Sequence, residues 1–582
     1  MPSAPTHSDP APAAVSELWR FEDEVHALER GGIDPADFRK FRLQNGVYGI
    51  RQSADRHMIR IRVPLGILTP EQLNALASLA EQFAPSRQVH LTTRQDIQIH
   101  QILRPDLPSA LRHIHRCGLT TREAAGNVVR NVTACPLTGV SPGEAFDVTP
   151  YAQAVAAYFL RNPLTQDLPR KFKIAFEGCP TDHARTPIHD LGAVAVLSDG
   201  GQRGFRIYVG GGLGAAPRCA DLLEPFTPAE WLIPTCEAVL RVFDRHGNRD
   251  NKLHARLKFL IKQWGAERFR AAVLTQRRTL LAVRSGAVPM AVETDGERPP
   301  LIELPPAPAP AGADFWAWRA TNVIPQEQPG WFVVTVRCPL GDLTAGELRA
   351  IGEASRRYCG GRMRLSIEQN ILLRWVPEAT LPALHRDLSA AGLAHPGAHT
   401  IADITRCPGA DTCTQAITHS RGLAEALEAS LTTGELARLP EVNELTVKIS
   451  GCPNSCGQHH IADIGFYGAS KRIDGHDTPH YLLLVGGGTA EGEATFAKPL
   501  AQIPARRVPE AVRALLVHFH EQRLAGEAFT AFTQRVGTAS LRALVEPFRS
   551  VPPFTEAPEY YEDLGAPGRR FIVQVGDSEC AV

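Results

Sequence analysis

The sequence predicts an internally duplicated α/β (α+β) protein, a fused pseudo-dimer, and three observations predict it. A run of landmarks recurs at a spacing of about 275 residues. Each copy carries the alternating patterns of strands around one amphipathic helix. A stretch dense in proline and alanine separates the copies.

The duplication opens with Val63-Pro64-Leu65-Gly66-Ile67-Leu68-Thr69, which returns as Cys338-Pro339-Leu340-Gly341-Asp342-Leu343-Thr344. Each segment then starts a helix by one device: Thr69 with Gln72, and Thr344 with Glu347, have the spacing of a capping box, and Pro70 suits a first helical position. Leu73, Leu76, Ala77, Ala80 and Phe83 recur at helical spacing and define one buried face. Strands are expected at 59–63 and 97–102, and at 332–336 and 371–376 in the second copy. Further along, Arg130 is matched with Arg406, Gly178-Cys179-Pro180 with Gly451-Cys452-Pro453, and Val209-Gly210-Gly211-Gly212 with Val485-Gly486-Gly487-Gly488. Helix-rich stretches follow in each half, around 249–275 and 509–545.

The expected organisation is a disordered leader over 1–20, half-domains at 40–115 and 318–398, larger α/β domains at 116–285 and 399–547, a linker at 286–313 and a tail at 548–582. Repeated prolines keep such a linker extended and semi-rigid. No apolar run approaches the roughly 20 residues that cross a bilayer, and the first 15 residues lack the apolar core of a signal peptide. A cytoplasmic protein is expected. The formal net charge is zero, with 43% apolar and 21% charged residues, which points away from nucleic acid and from a membrane surface as partners. Handling of an anion then falls to local clusters of basic residues.

Chemistry concentrates in the cysteines. Twelve in 582 residues are too few and too uneven for a secreted disulfide scaffold. Four of them form two tight pairs, Cys407 with Cys413 and Cys452 with Cys456. Four thiolates are the usual ligand set of an iron–sulfur cube. Pro408 and Pro453 favour loops over helices there, and glycines at 409, 451 and 457 permit close approach of the chain. A structural zinc site and unrelated buried thiols are the alternatives; five residues between Cys407 and Cys413 argue against zinc, which favours tighter pairs. In the first copy Cys179 matches Cys452, His183 stands at the position of Cys456, and no pair matches Cys407 and Cys413. Buried thiols are the expected state of Cys135 and Cys179, and Cys580 has no evident role.

The first copy is rich in cations instead. Thr92-Thr93-Arg94-Gln95 stands where the second has Ser366-Ile367-Glu368-Gln369, and Arg130, Lys171 and Lys173 follow. In extended chain Lys171 and Lys173 share a face, with Phe172 opposite. Two like charges on one face repel unless an anion lies between them; the alternative for each alone is a solvated edge or a surface ion pair.

Taken together, Cys-x5-Cys, Gly-Cys-Pro-Asn-Ser-Cys-Gly, Thr-Thr-Arg-Gln-x-x-Gln, Val-Arg-Asn-Val and Leu-Pro-Arg-Lys-Phe-Lys resemble the sulfite/nitrite reductase haemoproteins, over about residues 40–545. The resemblance implies two ferredoxin-like half-domains joined into one domain, with two α/β domains enclosing a sirohaem and a 4Fe–4S cluster. It implies that Cys407, Cys413, Cys452 and Cys456 hold the cluster and that Cys456 also bridges to the sirohaem iron. Arg94, Arg130, Lys171 and Lys173 then align with substrate-binding cations, and Thr92, Thr93, Gln95, Gln98 and Asn454 are expected at the cofactor.

Within that family the chain looks closest to ferredoxin-type assimilatory sulfite reductases. Plant-type nitrite reductases tend to carry Asn where this chain has Lys173, and sulfite is the bulkier dianion. Six-electron reduction of sulfite to sulfide is therefore the expected activity, with reduction of nitrite to ammonia as the alternative. A cobalamin-pathway oxygenase and a non-catalytic iron–sulfur carrier fit less well, because neither explains four basic positions. Gly210-Gly211-Gly212-Leu213-Gly214 lacks the spacing of a dinucleotide-binding loop. Electrons are thus expected from a separate ferredoxin or flavoprotein reductase.

Overall fold

Residues 12–51, 53–283, 297–302, 312–433, 435–576 and 579 are described by a computed structural model. The duplication is visible as two pairs of five-stranded sheets.

One pair builds a shared central domain. The first sheet runs Val47–Ile50, Ser53–Ile61, Ile97–Leu103, Gln88–Leu91, and is completed by Asp342–Thr344 from the second copy. Its counterpart runs Val323–Pro325, Trp331–Val336, Ile371–Pro377, Met363–Leu365, and is completed by Ile67–Leu68 from the first. Each copy thus covers an edge of the other's sheet, which would otherwise expose unpaired backbone groups. The helices Pro70–Phe83 and Ala345–Cys359 pack on each other. Both open with the expected capping box: Thr69 Oγ1 accepts from Gln72 N at 3.2 Å, and Thr344 Oγ1 from Glu347 N at 3.2 Å, with the reciprocal bonds in place. One continuous core takes Leu73, Leu76 and Ala80 from one helix and Leu348, Ile351 and Tyr358 from the other. Leu65 and Leu340 both adopt φ of 58°, so the two Pro-Leu-Gly turns repeat even a conformation rare outside glycine.

The second pair forms the two α/β domains. One sheet runs Thr133–Ala134, Ile174–Glu177, Leu191–Leu197, Arg203–Val209, Asp221–Pro228; the other runs Thr405–Arg406, Val447–Ser450, Ile464–Ile473, His476–Val485, Lys498–Pro504. In each, the first three strands are parallel and the rest antiparallel. The helix-rich stretches resolve into Leu257–Trp264 with Ala266–Val283, and Val508–Gln522 with Phe529–Val545. Gly210 and Gly486 turn at φ of 79° and 78°; a Cβ on the following Gly211 or Gly487 would lie 2.2 or 2.6 Å from a backbone oxygen. The triple glycines therefore mark the same tight turn twice.

The sheets correct one alignment. Thr133↔Ala175 and Ala134↔Phe176 pair as Thr405↔Lys448 and Arg406↔Ile449 do. Ala134 N donates to Gln95 Oε1 at 3.0 Å just as Arg406 N donates to Gln369 Oε1 at 2.8 Å. The counterpart of Arg406 is therefore Ala134, not Arg130, and the counterpart of Cys407 is Cys135. Matching arginine with arginine misplaced the register by four residues; backbone pairing decides it.

The leader also differs from expectation. A helix spans Pro12–Glu29, with Leu18, Phe21, Val25 and Leu28 on the face turned to the central core. Residues 1–11, and most of the 286–313 linker, lie outside the described residues. Within that linker Glu297 pairs with Arg374 at 2.9 Å and Arg362 at 3.3 Å. Among the described residues no helix is long and apolar enough to cross a membrane.

Candidate functional site

Cys407 directly follows the strand Thr405–Arg406, and Cys452 follows the neighbouring parallel strand Val447–Ser450 after Gly451, so the sheet delivers both thiols to one end. Cys413 and Cys456 return from the ensuing loops, and all four line a single cavity of about 100 Å³ together with Tyr48, Met58, Ala416 and Asn454. Glycine is required around it: a Cβ on Gly457 would lie 1.9 Å from Ile449 O, and one on Gly451 2.8 Å from Thr418 O. Gly451 N donates to Cys407 Sγ at 3.2 Å, a contact that supports a thiolate. Burial pushes the Cys452 thiol up, with further upward pushes from Cys456, Cys407 and Cys413. Four soft sulfurs that repel one another as anions need a positively charged centre among them, so this donor set fits an iron–sulfur cube.

Behind Cys456 the loop meets the cations. A second cavity, of about 90 Å³, is lined by Arg94, Arg130, Lys171 and Lys173, by Thr92, Thr93 and Gln98, and by Cys456. Cys456 belongs to both cavities.

Arg94 is gripped from three sides. It donates to Asn131 O at 2.5 Å, to Thr133 Oγ1 at 3.2 Å and to His189 Nε2. His189 Nδ1 donates to Arg185 O at 2.7 Å, which leaves Nε2 as the acceptor that Arg94 needs. Burial, then Arg94 and Lys173, hold His189 well below its ordinary value, so the ring stays neutral. Burial also brings Arg94 down to about 10, still charged at neutral pH.

Arg130 donates through Nε to Gly126 O at 2.9 Å and through Nη1 to Ala124 O at 3.0 Å and Tyr48 Oη at 3.3 Å. Its Nη2 is buried and has no partner among the described residues. An oriented, unmatched N–H in a cavity is what an anionic guest would satisfy.

Phe172 is buried, and Lys171 and Lys173 flank it as predicted from the alternation, although only Phe172 makes a strand-like bridge, to Val129. Lys173 N donates to Asp190 Oδ2 at 2.9 Å, which fixes the backbone there. Burial, then Arg94, Arg256 and Lys171, push the Lys173 ammonium well below its usual range. An amine so placed can release a proton to a bound anion.

Two residues expected at the cofactor stand outside the cation cavity. Gln95 does not line the cation pocket: its Nε2 donates to Ala134 O at 3.0 Å and Leu365 O at 2.8 Å, and its Oε1 accepts from Ala134 N. Its side chain is consumed in joining the central domain to the α/β sheet. Asn454 lines the cysteine cavity only and donates to Gln415 Oε1 at 2.8 Å.

His189, Asp190, Arg256 and Asp96 were not anticipated. Asp190 accepts from Arg256 Nη2 at 2.7 Å as well as from Lys173 N. Asp96 lines the pocket among Arg60, Arg94 and Arg130, and burial raises it to about 6 against their downward pull. Asp190 was detectable: Asp463 stands at the same separation from it as Cys452 does from Cys179, and the carbonyls of the two aspartates accept from Gly210 N and Gly486 N. His189 left no such trace, because Ala462 stands opposite it.

The C-terminal segment, which has no counterpart in the repeat, closes the cysteine side. Gly576 N donates to Thr414 O at 2.8 Å, and Glu579 lines the cysteine cavity while accepting from Arg42 Nη1 at 2.7 Å and Gly49 N at 2.9 Å. Cys580 lies outside the described residues.

Comparison with known proteins decides the family. The profile of the nitrite and sulphite reductase 4Fe-4S domain matches residues 125–279 and 397–550, and that of the nitrite/sulfite reductase ferredoxin-like half domain matches 48–117 and 324–391. The chain belongs to the nitrite and sulphite reductase family. A ferredoxin–nitrite reductase of Synechococcus elongatus is 31% identical over 83% of this chain and 90% of its own. The sulfite reductase (NADPH) hemoprotein beta-component of Acidithiobacillus ferrooxidans is 28% identical over 88% of this chain and 90% of its own. Among solved structures, the NirA protein of Mycobacterium tuberculosis superposes with a TM-score of 0.75 at 26% identity, covering 91% of this chain and 97% of that one.

As a family member the chain is an oxidoreductase whose cofactors are a sirohaem and a 4Fe–4S cluster, acting on nitrite or sulfite with electrons from a ferredoxin or a reductase. Both ferredoxin-like halves and the pseudo-dimer architecture are present as expected.

Proposed function

We propose that this chain reduces sulfite to sulfide in a six-electron reaction, with Cys456 joining its two cofactors. One observation carries the reading: Cys456 faces three other thiols on one side and, on the other, a cavity lined by Arg94, Arg130, Lys171 and Lys173 together with Arg60 and Arg406. Sirohaem and cluster would supply the redox chemistry when bound; Cys407, Cys413, Cys452 and Cys456 would hold the cluster, and Cys456, which also lines the cation cavity, would serve the sirohaem as well.

The chain's own residues bind and protonate. Arg94, locked by His189 and Asn131, and Arg130, with its unmatched Nη2, hydrogen-bond the oxyanion. Lys171 and Lys173 add charge and deliver protons to oxygens as they depart as water. Lys173 supports sulfite in particular: an added cation in a small buried pocket suits a dianion better than a monoanion. Thr92, Thr93 and Gln98 contribute polar contacts from the same wall. No nucleotide-binding loop stands in the two triple-glycine turns, so a separate ferredoxin is proposed as the donor, with a flavoprotein as the alternative.

Nitrite is the second reading, favoured by the name of the Synechococcus relative. A paired assay with reduced viologen distinguishes them. Sulfite is expected to show the higher kcat/KM in purified holoenzyme; a higher value for nitrite would overturn the assignment.

A further inference from the structure

The first copy carries its own group of metal-binding side chains. Cys135 follows its strand and precedes Pro136, as Cys407 follows its own and precedes Pro408. Cys135 N donates to Phe176 O at 3.0 Å, and Cys407 N to Ile449 O at 3.2 Å. Cys179 then occupies the place of Cys452, and His183 that of Cys456. Three of the four cluster positions therefore retain a metal-binding side chain on the opposite side of the pseudo-twofold.

These side chains converge. Cys135 Sγ lies 3.3 Å from Cys179 Sγ and 3.5 Å from His183 Nδ1. With the Glu177 carboxylate they form a group whose ligand atoms all lie within 4.8 Å of one another. Tetrahedral zinc with bonds of about 2.0–2.3 Å holds its ligand atoms about 3.3–3.8 Å apart, so adjustments of about 1 Å suffice.

Charge points the same way. Glu177 is fully buried, and no ion pair to it occurs among the described residues. It accepts from Gly178 N and Cys179 N at 2.9 Å and from Ala184 N at 2.8 Å, which folds the intervening loop around the four ligands. A buried carboxylate beside two thiols and an imidazole lacks a counter-charge that a divalent cation would provide.

We infer that Cys135, Cys179, His183 and Glu177 bind one zinc ion, at residues that line neither the cysteine cavity nor the cation cavity. The two thiols give up their protons to solvent as the Zn–S bonds form, and no electron is exchanged. Two sulfurs, one nitrogen and one oxygen suit zinc and leave no open position, as in a structural site. The zinc braces the loop that runs from Gly178 to His189 and Asp190, the residues that hold Arg94 and the Lys173 backbone.

Metal analysis of the purified holoenzyme tests this. About one zinc per chain is expected beyond the iron, retained through dialysis against a weak chelator. Absorption at the zinc edge, which iron does not obscure, is expected to show two sulfurs at about 2.3 Å and two lighter ligands at about 2.0–2.1 Å. A Cys135→Ser/Cys179→Ser protein is expected to lose the zinc and keep its iron. Should it fail to fold, His183→Ala, at a partly exposed ligand, is expected to weaken zinc retention at least tenfold in competition with a chelator. Failure of holoenzyme with reduced thiols to take up zinc from zinc sulfate, a zinc spectrum without sulfur, iron in the site, or a Cys135–Cys179 disulfide in anaerobically purified protein would each overturn the inference. None of these readouts depends on whether sulfite or nitrite is the substrate.

Discussion

Thr93 Oγ1 donates to the carbonyl of Cys456 at 2.9 Å, so a residue of the first copy holds the backbone of the thiol that both cavities share. The duplicated halves are thereby joined at the point where their chemistries meet.

Thr93→Val keeps the shape of the side chain and removes that bond. The expected cost is about 1 kcal/mol of stability, together with faster loss of sirohaem absorbance on dilution. A variant with unaltered thermal midpoint and cofactor retention would show the contact to be incidental.

Cys456→Ser is expected to abolish incorporation of the cluster and tight binding of sirohaem together, because the proposed function gives this one sulfur, which lines both cavities, to both cofactors. Iron content and the visible spectrum report each cofactor separately. Full occupancy of the two would remove Cys456 from the bridging role.

Lys173→Asn withdraws one cation from the pocket while Asp190 continues to hold the backbone. Loss of a charged hydrogen bond corresponds to about a 10- to 100-fold fall in kcat/KM for sulfite, with a smaller fall for nitrite. Equal losses on both substrates would take away the reason for preferring sulfite.

Asp96 sets a pH dependence. Its carboxyl sits near 6 in the folded protein against about 3.9 in an unfolded chain, because burial outweighs the pull of Arg60 and Arg94. The folded state then binds the proton more tightly, so the contribution of this group is fully present below about pH 4 and is lost as pH rises through about 6. Relative to Asp96→Asn, the native protein is expected to lose up to about 3 kcal/mol across that window. Parallel stability curves for the two proteins between pH 4 and 7 would contradict this.

Much of the site was legible in the chain because its signals are local. The capping boxes at Thr69 and Thr344, the alternation around Phe172 and the Cys-Pro turns each depend on neighbours a few residues away. Gln95 was misjudged for the opposite reason. It sits in a motif with Thr92 and Arg94, but its side chain turns the other way to bind Ala134 and Leu365, a choice made by packing between domains. The exchange of Ile67–Leu68 and Asp342–Thr344 between sheets is equally invisible, since either strand could have paired within its own copy.

By itself the sequence determined that the protein is a duplicated α/β chain, that four cysteines of one copy stand in two tight pairs, and that Arg94, Arg130, Lys171 and Lys173 belong to the other. Spacing and residue chemistry carry those facts, because metal ligation and helix capping tolerate few alternatives. Only the tertiary structure decided the register of the two α/β sheets, which moved the partner of Arg406 from Arg130 to Ala134 and made Cys135 the twin of Cys407. It also decided that His189 and Asp190 stand behind the cations and that the tail closes the cysteine cavity. Those outcomes depend on backbone pairing and burial between segments that lie from 17 residues apart, as Lys173 and Asp190 do, to 537 apart, as Arg42 and Glu579 do, and packing decides which of them meet.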